Sequence, residues 1–332
     1  MSAGVLRAMA ERTDEWAYRI PFAIQWIWPV PLIVAVSFAP ESPWWCIRKD
    51  RIEEAKQNLR RLARSGADVD NAVTLMQVTV DQEREAGTGK RYRDCFRGTN
   101  LRRTVVACCT WGIQILSGTG LRVYSTYFYQ QAGLPSTQAF NMSLIQYGLG
   151  IVGVFIAWFM LPYFGRRTLY IWGLVGLDVC LLTIGGLGTA VPTRTAISWS
   201  IGSLLIFYTL IYDITVGPIC YALVSEVPSS ELRSKTIVLS RMTYNLLNIV
   251  SNTITPYMLN PGAWAWGAKA GFFFAGTCTI SLAFAGFQIP ETKGRTYAEL
   301  NALFAEHTQA WKFESKQVNI VEDDDIREKR PE

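Results

Sequence analysis

Histidine occurs once in the 332 residues, at His307, so neither a His-based catalytic triad nor a His-rich metal cluster can be assembled. Charged residues are scarce as well, at 18% of the chain. The seven cysteines (46, 95, 108, 109, 180, 220 and 278) show no CxxC pair and no zinc-like spacing, and are read as free, buried and inert. Met1 to Arg19 is polar and lacks the apolar core that a secretory signal peptide requires. These absences argue against a soluble enzyme, a metal or cofactor site and a disulfide scaffold.

Half of the residues are hydrophobic, and they gather into long blocks rich in Trp, Tyr and Phe. That composition belongs to an all-α polytopic membrane protein. A helix crosses the hydrocarbon core with roughly 20 apolar residues. Seven stretches approach this length, at about 22–40, 104–128, 142–164, 168–191, 196–224, 236–259 and 270–289. The second and sixth carry Gln114, Ser117, Arg122, Asn245, Asn248 and Asn252, polar groups that are costly at membrane depth unless they face a bundle interior or water. Arg122 and Asp213 are the intramembrane charges of interest. Either they pair across helices, or Arg122 snorkels outward while Asp213 faces a cavity.

The basic residues set the orientation. Arg48, Lys49, Arg51, Lys56, Arg60, Arg61, Arg166, Arg167, Arg233, Lys235, Lys293 and Arg295 all fall on one side, against Arg194, Lys269 and the short start of the chain on the other. Positive residues concentrate in cytoplasmic loops. The C-terminus is therefore placed in the cytoplasm and the start of the chain outside, and the net charge of +5 reads as orientation, not nucleic-acid binding. The expected division is an extracellular loop (1–21), a first span (22–40), a cytoplasmic loop (41–103), a six-helix unit (104–289) and a cytoplasmic tail (290–332). The 41–103 loop reads as two amphipathic helices, with Ile52, Ala55, Leu59 and Leu62 on one face and Ser65-Gly66 ending the first. An odd number of spans and an unexplained outside start point to a missing front half.

An ordered set of motifs runs through nearly the whole chain. It comprises Arg19-Ile20-Pro21-Phe22, Pro40-Glu41-Ser42-Pro43-Trp44-Trp45, Gln114-Ile115-Leu116-Ser117-Gly118 and Tyr124-Ser125-Thr126-Tyr127-Phe128. After these come Gly165-Arg166-Arg167, Gly217-Pro218 with Glu226, Leu232-Arg233-Ser234-Lys235 and Pro290-Glu291-Thr292-Lys293-Gly294. In this order the chain resembles the major facilitator sugar porters, and within them the fungal maltose and α-glucoside permeases.

The resemblance implies the last seven helices of a twelve-helix fold, with the first five absent, in a plasma-membrane carrier. It implies alternating access around a site near the membrane midplane. A sugar and, in the full-length relative, protons are the implied partners, beside the lipid bilayer; no cofactor is implied. In related symporters the coupling carboxylate belongs to the N-terminal half, so none is assigned here.

An uncharged sugar needs neutral donors and acceptors among aromatic faces. Gln114, Ser117, Tyr124, Asp213, Tyr221 and Asn248 form that inventory. By resemblance Gln114 takes the first glutamine of the family's Gln-Gln-x-Ser-Gly motif, and Tyr221 stands where related porters carry tryptophan. For each, helix–helix hydrogen bonding is the competing reading. Ile115, Gly120 and Gly150 replace polar residues of hexose carriers, from which a roomier cavity suited to a disaccharide is expected. Arg166, Arg167, Glu226, Arg233, Glu291 and Lys293 read as a cytoplasmic charge network serving as gate or as positive-inside anchor. A non-transporting sugar sensor, an inert half-transporter and an unrelated seven-span receptor are the alternatives.

Overall fold

The computed structural model describes residues 2–9, 12, 14–62, 68–87, 91–189, 195–229, 232–295, 297–313 and 315–316. Among these there are helices and turns and no strand. Chain contacts divide it into two compact units, Met1–Arg91 and Tyr92–Glu332.

The first unit holds α1 (Ser2–Met9), α2 (Trp16–Ile24) and α3 (Pro29–Phe38), with a tight turn at Gln25–Ile27 between the last two. Pro29 lacks an amide hydrogen and disfavours helical geometry in the residue before it, which accounts for a break at this point. Trp16–Phe38 is nonetheless long and apolar enough to cross a membrane, and none of it is buried against protein. Three further helices follow: α4 (Pro43–Arg48), α5 (Ile52–Leu62) and α6 (Val69–Gly87). Where the sequence reading has two amphipathic helices there are thus three, because Asp50, at φ 60°, turns the chain between Pro43–Arg48 and the helix after it. Their small core is Cys46, Ile47, Ala55, Val73 and Val80. Of the expected apolar face Ala55 is fully enclosed, whereas Ile52 and Leu62 are exposed. Lys56 Nζ lies 2.8 Å from Asp70, tying α5 to α6. The hydrogen bond and charge of Lys56 hold the Asp70 carboxyl below its ordinary value. Ser65 and Gly66 lie outside the described residues.

The second unit is the helical bundle. Its helices are α7 (Gly98–Gln114), α8 (Gly120–Val123), α9 (Ser125–Gln131), α10 (Ser136–Met160), α11 (Arg166–Leu187), α12 (Thr195–Ile214), α13 (Val216–Glu226), α14 (Arg233–Leu259), α15 (Ala270–Gln288) and α16 (Tyr297–Ala305). Six helical stretches of the described chain satisfy the length and apolarity of a membrane span. Of the seven expected, the 236–259 stretch falls short of that measure although α14 is one unbroken helix of 27 residues. Its three asparagines lower its apolarity.

Two spans of this bundle are interrupted among the described residues. Between α7 and α8 the chain makes a wide turn at Ile115–Thr119, with Gly118 at φ 104°. A break of this kind frees buried carbonyls, which must find other donors inside a membrane. Side-chain hydroxyls supply them. Tyr208 of α12 donates to Ser117 O at 2.8 Å, Thr277 of α15 donates to Leu116 O at 2.6 Å, and Ser117 and Thr119 both donate to Gln114 O. The second interruption is at Thr215, just ahead of Gly217-Pro218.

Helices α11 and α15 pack with their backbones in near contact at Gly271, where a Cβ would lie 2.8 Å from Leu181 O and 2.9 Å from Gly185 N. Backbone cannot yield as a side chain can. Gly271→Ala is expected to cost about 1–3 kcal/mol of stability, while Gly276→Ala, with nothing within 4 Å of its Cβ, is expected to be neutral. Thermal unfolding of the two variants in detergent checks this pair.

Candidate functional site

One face of the bundle gathers aromatic rings and amides from α7, α13 and α14. Trp111 and Gln114 are one helical turn apart on α7, and Arg241, Tyr244 and Asn248 share a face of α14 at spacings of three and four. The ring of Trp111 lies edge-on to Tyr221 at 5.9 Å and to Tyr244 at 6.0 Å. The Arg241 guanidinium sits over both Trp111 (4.8 Å) and Tyr244 (4.6 Å), a cation–π arrangement that orients the rings. Gln114 is buried and donates to Gly217 O at 3.3 Å, next to the interruption between α12 and α13. Tyr221 is exposed and Asn248 half-buried.

The sequence inventory is thereby divided. Gln114 and Tyr221 both adjoin the Trp111 cluster, and Asn248 follows Leu247, whose methyl packs at Gly112 of α7. Ser117 is fully buried and bonded within its own turn, and Tyr124 donates to Asn252 O at 3.3 Å. Trp111, Arg241 and Tyr244 were not singled out from the sequence. Their helical spacing to Gln114 and Asn248 was the available signal.

Arg122 and Asp213 pair across helices at 2.8 Å, with the Tyr212 ring 4.4 Å from the guanidinium. Asp213 fits against α10, where a Cβ at Gly150 would lie 2.6 Å from its Oδ2. Tyr129 donates to Gln146 Oε1 at 2.6 Å, and Gln146 reaches back to Arg122 O at 3.5 Å. The expectation of a roomier cavity at Gly120 and Gly150 is corrected here. At Gly120 a Cβ would meet Thr255 Oγ1 at 2.5 Å and Ser251 Oγ at 3.0 Å, so neighbouring side chains fill the space at both glycines. Asp178 on α11 is a further intramembrane charge that the sequence reading did not name; it accepts from Thr279 of α15 at 3.0 Å.

At the opposite end of α11 lies the charge network. Glu291 accepts from the backbone N–H groups of Arg166 (2.8 Å), Arg167 (3.1 Å), Thr292 (3.1 Å) and Lys293 (3.1 Å). A carboxylate at a helix N-terminus is well placed, since unpaired amides and the helix dipole both favour an anion there. Arg166 also reaches Glu226 at 3.6 Å, Arg167 donates to Gly286 O at 2.7 Å, and Lys293 Nζ donates to Tyr163 O at 2.7 Å. Arg233 is half-buried at the start of α14. Glu226 Oε2 and the Nε atoms of Arg166 and Arg167 are buried without hydrogen-bond partners.

Residues 1–304 match the family described as "Sugar (and other) transporter". The chain belongs to the sugar transporter family. Among members of that family, a general alpha-glucoside permease of Saccharomyces cerevisiae is 42% identical over 96% of this chain and 53% of its own length. The maltose permease MAL31 of the same organism shows the same three figures of 42%, 96% and 53%. The chain thus spans about half the length of the curated relatives it matches. These relatives are permeases, not enzymes. A solved structure of the proton:xylose symporter XylE with bound 6-bromo-6-deoxy-D-glucose has a TM-score of 0.70 at 21% identity, covering 91% of this chain and 63% of that one. An inward-open XylE from E. coli follows at a TM-score of 0.64 and 21% identity, with coverages of 91% and 61%. The fold is therefore the all-α major facilitator fold in part, and the chain is that of an integral membrane protein.

Proposed function

We propose that this chain supplies the C-terminal part of a carrier that moves α-glucosides of the maltose type across the plasma membrane by alternating access, linked to protons. The observation that carries the reading is the cluster of Trp111, Tyr221 and Tyr244 beside Gln114 and Asn248. Flat apolar rings match the C–H faces of a sugar, and amides match its hydroxyls. The permease relatives support the substrate class. In this reading Gln114, Tyr221 and Asn248 touch the sugar, Ser117 and Tyr124 shape the broken helix beneath it, and the Arg122–Asp213 pair fixes the helices around it. The network of Arg166, Arg167, Glu226, Arg233, Glu291 and Lys293 acts as a gate on the cytoplasmic side, with the C-terminus in the cytoplasm. Its orphaned polar atoms support that role, because a gate must make and break contacts.

The test is uptake of radiolabelled maltose by cells carrying these residues within a full-length carrier. Gln114→Ala and Asn248→Ala are each expected to lower uptake up to about tenfold, the value of one lost hydrogen bond, with membrane-inserted protein unchanged. Unchanged uptake in both variants would remove the site assignment.

A further inference from the structure

Arg102 and Arg103 stand side by side in the first turns of α7, and both guanidinium groups lie over the ring of Phe304, at 5.5 and 4.5 Å. Arg103 is buried and held by the tail helix through its two terminal nitrogens, donating to Asn301 Oδ1 at 2.6 Å and to the carbonyls of Leu300 and Asn301, while its Nε is buried without a partner. Arg102 donates to Thr308 O at 2.6 Å. Among the described residues no carboxylate comes within ion-pair distance of either arginine. The nearby acids on α16 and just after it are engaged elsewhere: Glu299 pairs with Arg295 at 3.8 Å, and Glu306 pairs with Lys316. Two adjacent cations are thus held at the end of a membrane span without a counter-charge among the described residues.

Arg102 opens onto a cleft of about 590 Å³ whose other walls are Gln288, His307, Gln309, Phe287 and Trp311. Its two sides differ in chemistry. Arg102, His307 and the amides of Gln288 and Gln309 present donors, and a guanidinium binds phosphate with two parallel hydrogen bonds. Phe287 and Trp311 form the other side, edge-on at 6.2 Å and exposed at 64% and 46%. Gln288 is the last residue of α15, so the apolar wall lies where a membrane-spanning helix leaves the hydrocarbon and the donors lie just beyond it. Aromatic side chains at that level are typical of a membrane boundary.

We propose that this cleft is a binding site for one anionic glycerophospholipid, its headgroup phosphate on Arg102 with His307 and the two glutamines, its acyl chains along Phe287 and Trp311. Basic pockets between helix ends on the cytoplasmic side bind anionic headgroups through the same combination of charge and depth. The apolar wall selects a lipid over a soluble phosphate, which has nothing to place against it. The proposal rests on the chain spanning a membrane and is independent of what, if anything, it carries.

Native mass spectrometry of the full chain in mild detergent, titrated with phosphatidylserine or phosphatidylcholine, tests it. One phosphatidylserine is expected to stay bound at concentrations where phosphatidylcholine does not. Arg102→Gln is expected to weaken that binding about tenfold, as loss of a charge-assisted contact implies. Trp311→Ala is expected to weaken it several-fold. His307→Gln, at an exposed position, gives the same reading if Arg102→Gln fails to accumulate. Equal retention of the two lipids, or unchanged phosphatidylserine affinity in these variants, overturns the site. Displacement of the lipid by millimolar inorganic phosphate overturns the lipid assignment in favour of a soluble anion.

Discussion

Asp213→Asn is expected to destabilise the folded bundle by about 3 kcal/mol, because it leaves the partly buried Arg122 guanidinium without its counter-charge. The pair is 2.8 Å apart, with side chains 25% and 18% exposed. Asparagine keeps the shape that fits against Gly150, so the change isolates charge from packing. Arg122→Met, which strands Asp213 instead, is expected to cost a similar amount. The double variant removes both charges and is expected to recover much of the loss, since neither partner then remains unpaired. Thermal unfolding of detergent-solubilised protein, followed by size-exclusion chromatography, measures all three. A double variant as unstable as the sum of the singles would show that the two charges are held separately, as in the snorkelling alternative.

Glu291→Gln is the second large expected effect, at about 3 kcal/mol, on the scale of 1.5–3 kcal/mol for each hydrogen bond to a charged group. Four backbone N–H groups converge on this carboxylate. A glutamine offers one oxygen and turns an NH₂ toward donors. Gly165→Ala should act on the same contact from the other side, because a Cβ there would lie 2.1 Å from Glu291 Oε2. Arg166→Ala provides the contrast. It removes one 3.6 Å ion pair with Glu226, between side chains 23% and 25% exposed, and is expected to cost about 1–2 kcal/mol, less than Glu291→Gln. If Arg166→Ala proves as damaging to folding as Glu291→Gln, the arginine is a structural anchor and the gate reading fails.

These two sites also show what could be read from the chain. The turn at Gly165-Arg166-Arg167 and the acid at Glu291 were legible as motifs. Their partnership was legible too, but not its form: the motif suggests guanidinium pairing, whereas the carboxylate binds backbone amides, which carry no residue identity. The size argument at Gly120 and Gly150 went wrong for a related reason. A missing side chain opens space only if its neighbours leave it open, and here Asp213 and Thr255 come from helices far away in sequence. Periodicity did better. Seven apolar stretches lie close to the observed helices, and the spacing of Arg241, Tyr244 and Asn248 puts them on one face of α14. The tight turn inside Trp16–Phe38 was signalled by Pro29, but apolarity alone reads across it.

The stitched turn between α7 and α8 has a mechanical meaning. An amide that caps a carbonyl inside a helix is fixed to the backbone and can leave only by unwinding its neighbours. The hydroxyls of Tyr208 and Thr277 are carried on rotatable side chains, so their grip on Ser117 O and Leu116 O can be released and remade one bond at a time. The segment beyond Gly118 is in effect fastened by buttons instead of sewn.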